Sequence, residues 1–282
     1  MSIDRTNWFF GKFKINILTL GVAYEGIAIP LFYTLLDKAG NATGKEHMAI
    51  IKKFVDVFGK GCIAGVLADR EFANQYFFSY LTEAKIPFYI RVKEGAKVRI
   101  FSEKKTFKVK ELFADLKQKC QMSYIQPVTI HGQKLFVAAG RSDSGELLVV
   151  ATNKHKAENA VSIYLRRWEI AVLFHSLKSR GFNFEDTHLN KKARIEKLVA
   201  LLAVGFSWCH KIGEWRAIKK PIRFKKFRDG RRPQYSYFRY GLDLIRDIIF
   251  NMQHKHWQFK RCLKQLFPPT KPPIIPCLEI TS

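Results

Sequence analysis

The hydrophobic pattern begins with two strand-like runs. Residues 15–24 and 27–36 are rich in β-branched and aromatic side chains, and the dipeptide Glu25–Gly26 separates them. Two such runs joined by a two-residue break that contains glycine predict a β-hairpin. The chain is therefore expected to open with sheet.

Helical and strand-like spacing then alternate. Apolar residues recur at helical spacing over 46–58 and 74–84. The short apolar runs 62–69 and 86–93 have the composition of buried parallel strands, and the first of them ends in Asp69. Hairpin, helix, strand, helix and strand in this order predict an α/β fold, a mixed sheet with helices on its faces.

The pattern changes in the middle of the chain. Between residues 94 and 150, short strand-like runs separated by turns predict a β-rich insertion. Helical spacing then predicts one helix over 157–180 and another over 191–218. We therefore divide the chain into a first core part, the insertion, the completion of the core, and a basic C-terminal region with a proline-rich tail: 1–93, 94–150, 151–218 and 219–282.

The composition adds a strong positive charge. The chain has 49 Lys and Arg against 24 Asp and Glu, a formal charge of +25. Residues 219–261 alone contain 13 of these cations and 3 Asp. A charge of this size concentrates polyanions and speeds their encounter, so nucleic acid is the first candidate partner and an anionic membrane surface the second. The hydrophobic fraction of 47% is that of a folded protein.

The cysteines and the apolar segments indicate the cellular compartment of the protein. The five cysteines form no CxxC pair, so they indicate neither a disulfide framework nor a zinc site. The N-terminus has no apolar signal region. The longest apolar run, 198–209, is shorter than the roughly 20 residues of a membrane span and predicts a buried helix. A cytoplasmic protein is expected.

Two acids stand where predicted strands end. Asp4 lies at the end of a very short first strand, and Asp69 lies at the end of the apolar strand predicted over 62–69. Carboxylates at neighbouring strand ends of an α/β sheet point into the crevice where ligands bind. Together they would form an all-oxygen site for Mg²⁺ or Mn²⁺. The alternative is that Asp69 caps a helix and Asp4 is a surface acid.

One face of the helix predicted over 157–180 is polar. At about 100° per residue, one stripe about 80° wide contains Tyr164, Arg167, Ala171, His175 and Lys178. Guanidinium, ammonium and hydroxyl groups suit phosphate oxygens, although a solvated face is the alternative. Ala171 lies at the centre of the stripe, where a third metal-binding carboxylate would belong. Trp168 and Phe174 lie off the stripe and are expected in the core.

Several blocks of the chain match one known family. They are SIDRTNWFFGK around Asp4, LADREF around Asp69, the set Tyr164, Arg167 and Lys178 followed by RGFNFEDTHL, and YFRYGLDLIR at 237–246. With these blocks the chain resembles the DDE transposases of bacterial insertion sequences, in the group with a Tyr-x2-Arg-x3-Glu-x6-Lys signature. The resemblance extends over nearly the whole chain.

The resemblance implies a ribonuclease-H-like fold interrupted by a β-rich insertion. In that family two Asp and one Glu hold two divalent ions, Mg²⁺ or Mn²⁺, that cut DNA at transposon ends and join it elsewhere. Asp4 and Asp69 match the two aspartates and hence the metal ligands. The signature residues that position DNA match Tyr164, Arg167 and Lys178. The matching Glu is absent, because Ala171 stands in its place.

Other acids are poor replacements for the missing Glu. Glu169 falls on the opposite side of the predicted helix, and Glu185 and Asp186 follow the expected helix end, so that reaching the site requires a bend. Metal binding is therefore expected to be weak. Since rate depends exponentially on the barrier, a loss of ~4 kcal/mol corresponds to about a thousandfold.

Three functions follow from these residues. The first is a transposase by descent that is catalytically impaired. The second is a DNA-binding remnant that occupies DNA or joins an intact transposase and inhibits it. The third is a metal-dependent nuclease that uses Glu185 or Asp186. With any of these functions we expect a protein at the bacterial nucleoid that binds DNA, as a homodimer or in a mixed dimer with an intact transposase.

The position of Asp4 gives one more expectation. The chain starts three residues before it, which predicts a first strand of about four residues, short for a central strand. An N-terminally truncated copy with low stability is expected. Such a copy would lose specific recognition of transposon ends and keep non-specific attraction to phosphate.

Overall fold

The structure is a computed structural model, and it describes the chain in seven stretches: 1–10, 13–36, 42–100, 105–155, 157–178, 181–227 and 230–267. The predicted proline-rich tail lies outside these stretches. The chain forms two compact units, Met1–Lys197 and Leu198–Ser282. The long helix α5 (Lys192–Lys219) contains the boundary between them.

Three antiparallel strands open the first unit. They are β1 (Ser2–Phe10), β2 (Phe13–Tyr24) and β3 (Ile27–Leu36). Glu25 and Gly26 both have positive φ, 46° and 79°, as a tight two-residue hairpin turn requires. The predicted hairpin is confirmed.

β1 is longer than its hydrophobic pattern predicts. Its nine residues pair with β2 along their whole length, and Ser2 and Ile3 also pair with β4 (Val66–Ala68) in parallel. The expectation of a four-residue strand is therefore wrong. Polar side chains interrupt the apolar pattern after Ile3, but backbone pairing with β2 does not depend on them, and the buried Trp8 anchors the far end.

Two helices and two parallel strands follow as predicted. The helices are α1 (Gly44–Phe58) and α2 (Gln75–Glu83), which Thr43 and Asn74 cap through their side chains. β4 pairs in parallel with β5 (Phe88–Val92). The order β3-β2-β1-β4-β5, with β2 antiparallel to β1, makes this a mixed sheet.

The β-rich segment continues the same sheet. Its six strands are β6 (Lys97–Ile100), β7 (Thr106–Lys108), β8 (Gln121–Ser123), β9 (Val128–Ile130), β10 (Gln133–Arg141) and β11 (Leu147–Thr152). β11 pairs antiparallel with β5, and the order continues through β10, β9, β6 and β7. The apolar side chains of this segment join one large core with those of α1 and α2.

The continuous helix predicted over 157–180 is wrong. Within the described part of that range, the chain forms α3 (Ala160–Leu165) and α4 (Trp168–Lys178) with a break between them. The amides of Arg166 and Arg167 donate to the carbonyls three residues earlier, at 3.2 and 2.8 Å, which tightens the turn. α3 packs on β5, β10 and β11, whereas α4 packs on β1, β2 and β3.

The fold class expected from the sequence is confirmed. A mixed α/β sheet carries α1 and α2 on one face, and α3 and α4 on the other. The alternation of side chains along β1 separates these faces, because Ile3 joins the core beneath α1 and α2 while Asp4 faces α4.

The second unit is helical with one small ribbon. After α5 come the strands β12 (Phe224–Phe227) and β13 (Gly230–Pro233), then α6 (Tyr237–Phe250) and α7 (Met252–Lys264). The helix predicted over 191–218 is confirmed as α5. Its apolar stretch is only half buried, because Phe206 and Cys209 are enclosed while Leu201 and Val204 are exposed.

Two glycines allow backbones to touch within this unit. A Cβ on Gly213 would overlap the carbonyl of Tyr237, and a Cβ on Gly241 would overlap the carbonyl of Cys209. Only glycine fits at both contacts between α5 and α6. Among the described residues, no helix has the length and apolar character needed to cross a bilayer.

Candidate active site

Asp4 and Asp69 lie next to each other where the parallel pairing of β1 with β4 ends: Asp69 follows the last residue of β4, and Asp4 is the third residue of the longer β1. Ile3 and Ala68 are partners in the parallel register, and each aspartate is the next residue on its strand. Asp69 Oδ1 also accepts a 2.7 Å hydrogen bond from the amide of Arg70 at the start of a short 3₁₀ turn. The capping role that the sequence left open therefore accompanies the strand-end position.

The Asp4 carboxylate is enclosed. Its Oδ1 accepts from the Arg5 amide at 2.8 Å, and its Oδ2 accepts from Arg167 Nη1 at 2.9 Å. Burial raises the pKa of Asp4 to about 6, although the Arg167 charge lowers it; the charges of Glu71 and Asp69 raise it further. The alternative that Asp4 is a surface acid is wrong, since its side chain is 18% exposed.

Arg167 and Tyr164 connect the two aspartates. Arg167 Nε donates to Tyr164 Oη at 3.1 Å, and Tyr164 Oη lies 3.5 Å from Asp69 Oδ1, a long hydrogen bond. Tyr164 is buried, and burial raises its pKa. Both side chains therefore face the carboxylates directly.

Lys178 lies farther along β1. Its amine donates to the Asn7 carbonyl at 2.6 Å and stands 4.8 Å from the centre of the Trp8 ring. Asn7 is three residues beyond Asp4, about 10 Å along an extended strand. Burial lowers the pKa of Lys178, and Glu185, 3.9 Å away, raises it. Lys178 therefore borders the outer end of the site.

Ala171 occupies the helix face between these two cations. It follows Arg167 by one turn on α4, and both Arg167 and Lys178 reach β1. This face therefore offers a methyl group at the position where the resemblance predicts a carboxylate. The expectation for Phe174 is confirmed because it is buried, but that for Trp168 is wrong. Trp168 begins α4 directly after the break and is 65% exposed.

The other acids near α4 point elsewhere. Burial raises the pKa of Glu169. Arg166, 3.7 Å away, and a hydrogen bond with the Tyr24 backbone lower it by less. These contacts place Glu169 beside the N-terminal amine and Tyr24, and none of them is with Asp4 or Asp69. Glu185 forms its ion pair with Lys178. Asp186 lies beside it in a short 3₁₀ turn, and the neighbouring Phe184 packs edge-on against Trp8.

Asp4 and Asp69 are the carboxylates available to the divalent ion that the resemblance implies. Two carboxylates and water are an ordinary ligand set for Mg²⁺, so Asp4 and Asp69 fit one such ion. They do not fit two, because Ala171 supplies no oxygen. Among the described residues, no group of three or more His, Cys, Asp and Glu is arranged to hold a metal. The Arg167 charge and the raised pKa of Asp4 both compete with a bound cation.

Sequence reasoning missed an ion pair on the opposite face of β1. Arg5 Nε and Nη2 donate to the two carboxylate oxygens of Glu71 at 3.2 and 2.9 Å. Strand alternation, which puts Arg5 opposite Asp4, was the available signal. Glu71 also lines a cavity of about 860 Å³ beside Asp69, together with three basic side chains: Arg70, Lys93 and His131.

One family model matches part of the chain. The family model described as a transposase DDE domain matches residues 39–205, more than half of the chain. The match includes Asp69 and the α3–α4 segment and begins after Asp4. A search of curated proteins found no match.

One solved structure is similar over most of the chain. It is the piggyBac transposase in a cryo-EM structure of its synaptic complex with hairpin DNA, with 10% identity and a TM-score of 0.47. The similarity covers 96% of this chain and 58% of that one, so this chain spans less than two thirds of its length. On the family match, the chain belongs to the transposase DDE domain family.

Proposed function

We propose that the protein acts on DNA as a transposase of the bacterial insertion-sequence type whose catalytic power is impaired. The observation that carries the proposal is the adjacency of Asp4 and Asp69 directly after the parallel pairing of β1 with β4, with Ala171 on the helix face that covers them. The adjacency supports phosphodiester chemistry, and the alanine supports the impairment.

Asp4 and Asp69 are the residues that would hold Mg²⁺ or Mn²⁺. When bound, such an ion activates an attacking oxygen and stabilises the leaving oxygen at phosphorus. The third carboxylate of the family pattern is missing, so affinity and positioning both fall. A barrier raised by ~4 kcal/mol lowers the rate about a thousandfold.

The surrounding side chains prepare the site. Arg167 fixes the Asp4 carboxylate by a charge-assisted hydrogen bond, and Tyr164 ties that guanidinium to Asp69. Lys178 offers a cation farther along β1, where a DNA phosphate can approach. Arg70 and Lys93, in the cavity beside Asp69, supply further positive charge. These groups bind and orient the backbone near the two acids.

A plasmid-nicking assay tests the proposal. Supercoiled DNA is incubated with the native chain, with Ala171→Glu, and with Ala171→Glu combined with Asp69→Asn, in Mg²⁺ and in Mn²⁺. We expect little nicking by the native chain, clear nicking by Ala171→Glu, and its loss in the double variant. No nicking by Ala171→Glu, when circular dichroism shows that it is folded, would reject the proposal.

The same assay separates two alternatives. An ion pair places Glu185 beside Lys178, close to β1, so a nuclease that uses Glu185 or Asp186 is the second candidate. Nicking by the native chain that Glu185→Gln or Asp186→Asn abolishes would support it. DNA retention without nicking by any form would support a binding remnant, in which case mixing with an active transposase should inhibit that enzyme through mixed dimers.

A further inference from the structure

The two-stranded ribbon of the second unit is unusually basic. In the antiparallel register of β12 and β13, Lys225 is the partner of Arg232, and Lys226 is the partner of Arg231. All four side chains are exposed. Arg223 directly precedes β12, and the described residues of the ribbon include no acid.

This arrangement works against the stability of the ribbon. Like charges directly opposite each other on neighbouring strands are destabilising, whereas opposite charges there would stabilise the pair. Successive side chains of a strand point to opposite faces, so Lys225 and Arg232 share one face while Lys226 and Arg231 share the other. Each face of the ribbon therefore carries two neighbouring positive charges that a polyanion can contact.

The shape of the ribbon selects the kind of polyanion. A strand of four residues is about 13 Å long, and the major groove of B-DNA, about 12 Å wide, admits a two-stranded β-ribbon. Phosphates then flank the ribbon on both sides, where cations on both faces can meet them. An anionic membrane is a poorer fit, because interfacial binding needs one apolar face, and each face of this ribbon carries a basic pair.

We infer that the β12–β13 ribbon is a DNA-binding element that lies in the groove of a duplex and holds the phosphates on either side. The inference rests on the proposed function only in taking DNA as the polyanion. It involves neither the aspartates nor Ala171, so the ribbon binds whether or not the active site can cut.

Three charge variants test the ribbon. The ribbon variant changes its four cations to Gln: Lys225, Lys226, Arg231 and Arg232. The matched control removes the same charge from four exposed lysines of the first unit: Lys52, Lys53, Lys110 and Lys117. A third variant exchanges Lys for Arg and Arg for Lys within the ribbon and keeps its charge. Circular dichroism and thermal melting establish that each is folded.

The readout is the dissociation constant for a fluorescent 30-base-pair duplex across a range of salt concentrations. We expect the ribbon variant to bind at least about tenfold more weakly, with a salt slope shallower by up to about 3 to 4. The control and the charge-keeping exchange should remain within about threefold of the native chain. The ribbon variant should not lose affinity for anionic vesicles to the same extent as it loses affinity for DNA.

Other outcomes overturn the inference in distinguishable ways. Equal losses of DNA affinity in the ribbon variant and the control would show that the ribbon contributes only its share of the overall positive charge. A loss of vesicle binding alone would assign it to a membrane. A native chain that binds no duplex would reject DNA as the partner and the proposed function with it. Unchanged binding by the ribbon variant would reject the ribbon alone.

Discussion

Arg167 Nη1 donates a 2.9 Å hydrogen bond to Asp4 Oδ2, and the two side chains are only 16% and 18% exposed. Burial of a carboxylate disfavours its charged form, and the guanidinium offsets only part of that effect. The pKa of Asp4 is consequently raised to about 6. The protonation of this carboxylate changes near neutral pH, which has consequences for stability and for metal binding.

The first prediction concerns pH and Asp4. Because its pKa rises from 3.8 to about 6 on folding, the native state binds the proton more tightly than the unfolded state. The stabilisation from this proton is fully present below about pH 4 and is lost as the pH rises through about 6. In metal-free buffer, native stability relative to Asp4→Asn should fall by roughly 2.5 kcal/mol between pH 4 and pH 7.

Chemical denaturation at a series of pH values measures this difference. Asp115→Asn, which removes an exposed carboxylate, is the matched control and should show no comparable dependence. A stability difference between the native chain and Asp4→Asn that stays constant with pH would contradict the buried position of Asp4.

The second prediction concerns the missing acid. Ala171→Glu should place a carboxylate on the face of α4 that meets β1, and a third carboxylate strengthens an all-oxygen site. We expect Mn²⁺ affinity, measured by electron paramagnetic resonance, to increase at least about tenfold. Leu165→Glu adds the same charge at an exposed position of α3 and should change it little. Similar gains in both variants would indicate charge alone.

The third prediction concerns Lys178. Its amine lies beside Asn7 and Trp8, about 10 Å beyond the aspartates, so it meets phosphate and no base edge. Lys178→Ala should weaken DNA binding about threefold to tenfold for all sequences and lower the salt slope by about 1. Anisotropy titrations with unrelated duplexes measure both effects, with exposed Lys53→Ala as the control. A large loss on one sequence only would contradict the phosphate role.

The fourth prediction concerns the helix contacts of the second unit. Alanine normally favours a helix over glycine by roughly 1 kcal/mol. Gly213→Ala and Gly241→Ala should do the opposite, because the added Cβ overlaps a carbonyl of the neighbouring helix. We expect a loss of at least about 2 kcal/mol in the free energy of unfolding. Gly61, which has open space around its Cα, is the control, and Gly61→Ala should be nearly neutral.

Features with a local signal were predictable from the sequence. The hairpin at Glu25–Gly26 follows from its turn residues, and Asp69 is conspicuous because it ends a short apolar run. The parallel pairing of β1 and β4 then brings Asp4 beside it. The position of Ala171 could be foreseen because one helical turn separates it from Arg167 on the same face.

Features made by distant contacts were not predictable. No Gly or Pro marks the break before α4, and Arg167 next to the break bonds to Asp4, 163 residues earlier. The exposure of Trp168 follows from the same break. The partner of Arg5 is Glu71, 66 residues later, and neither residue has an unusual neighbour in the sequence. The full length of β1 depends on backbone bonds to β2, which no hydrophobic pattern records.

The charged side chains on the two faces of β1 also disfavour any shift in the register of this strand. If the strand slipped by one residue in one direction, Arg5 would meet the guanidinium of Arg167 and Asp4 would enter the fully enclosed place of Ile3. Slipped the other way, Asp4 would confront Glu71. Each misalignment brings like charges together or buries a carboxylate in the hydrophobic core. The native alignment is thus the one that the electrostatics of this strand tolerate.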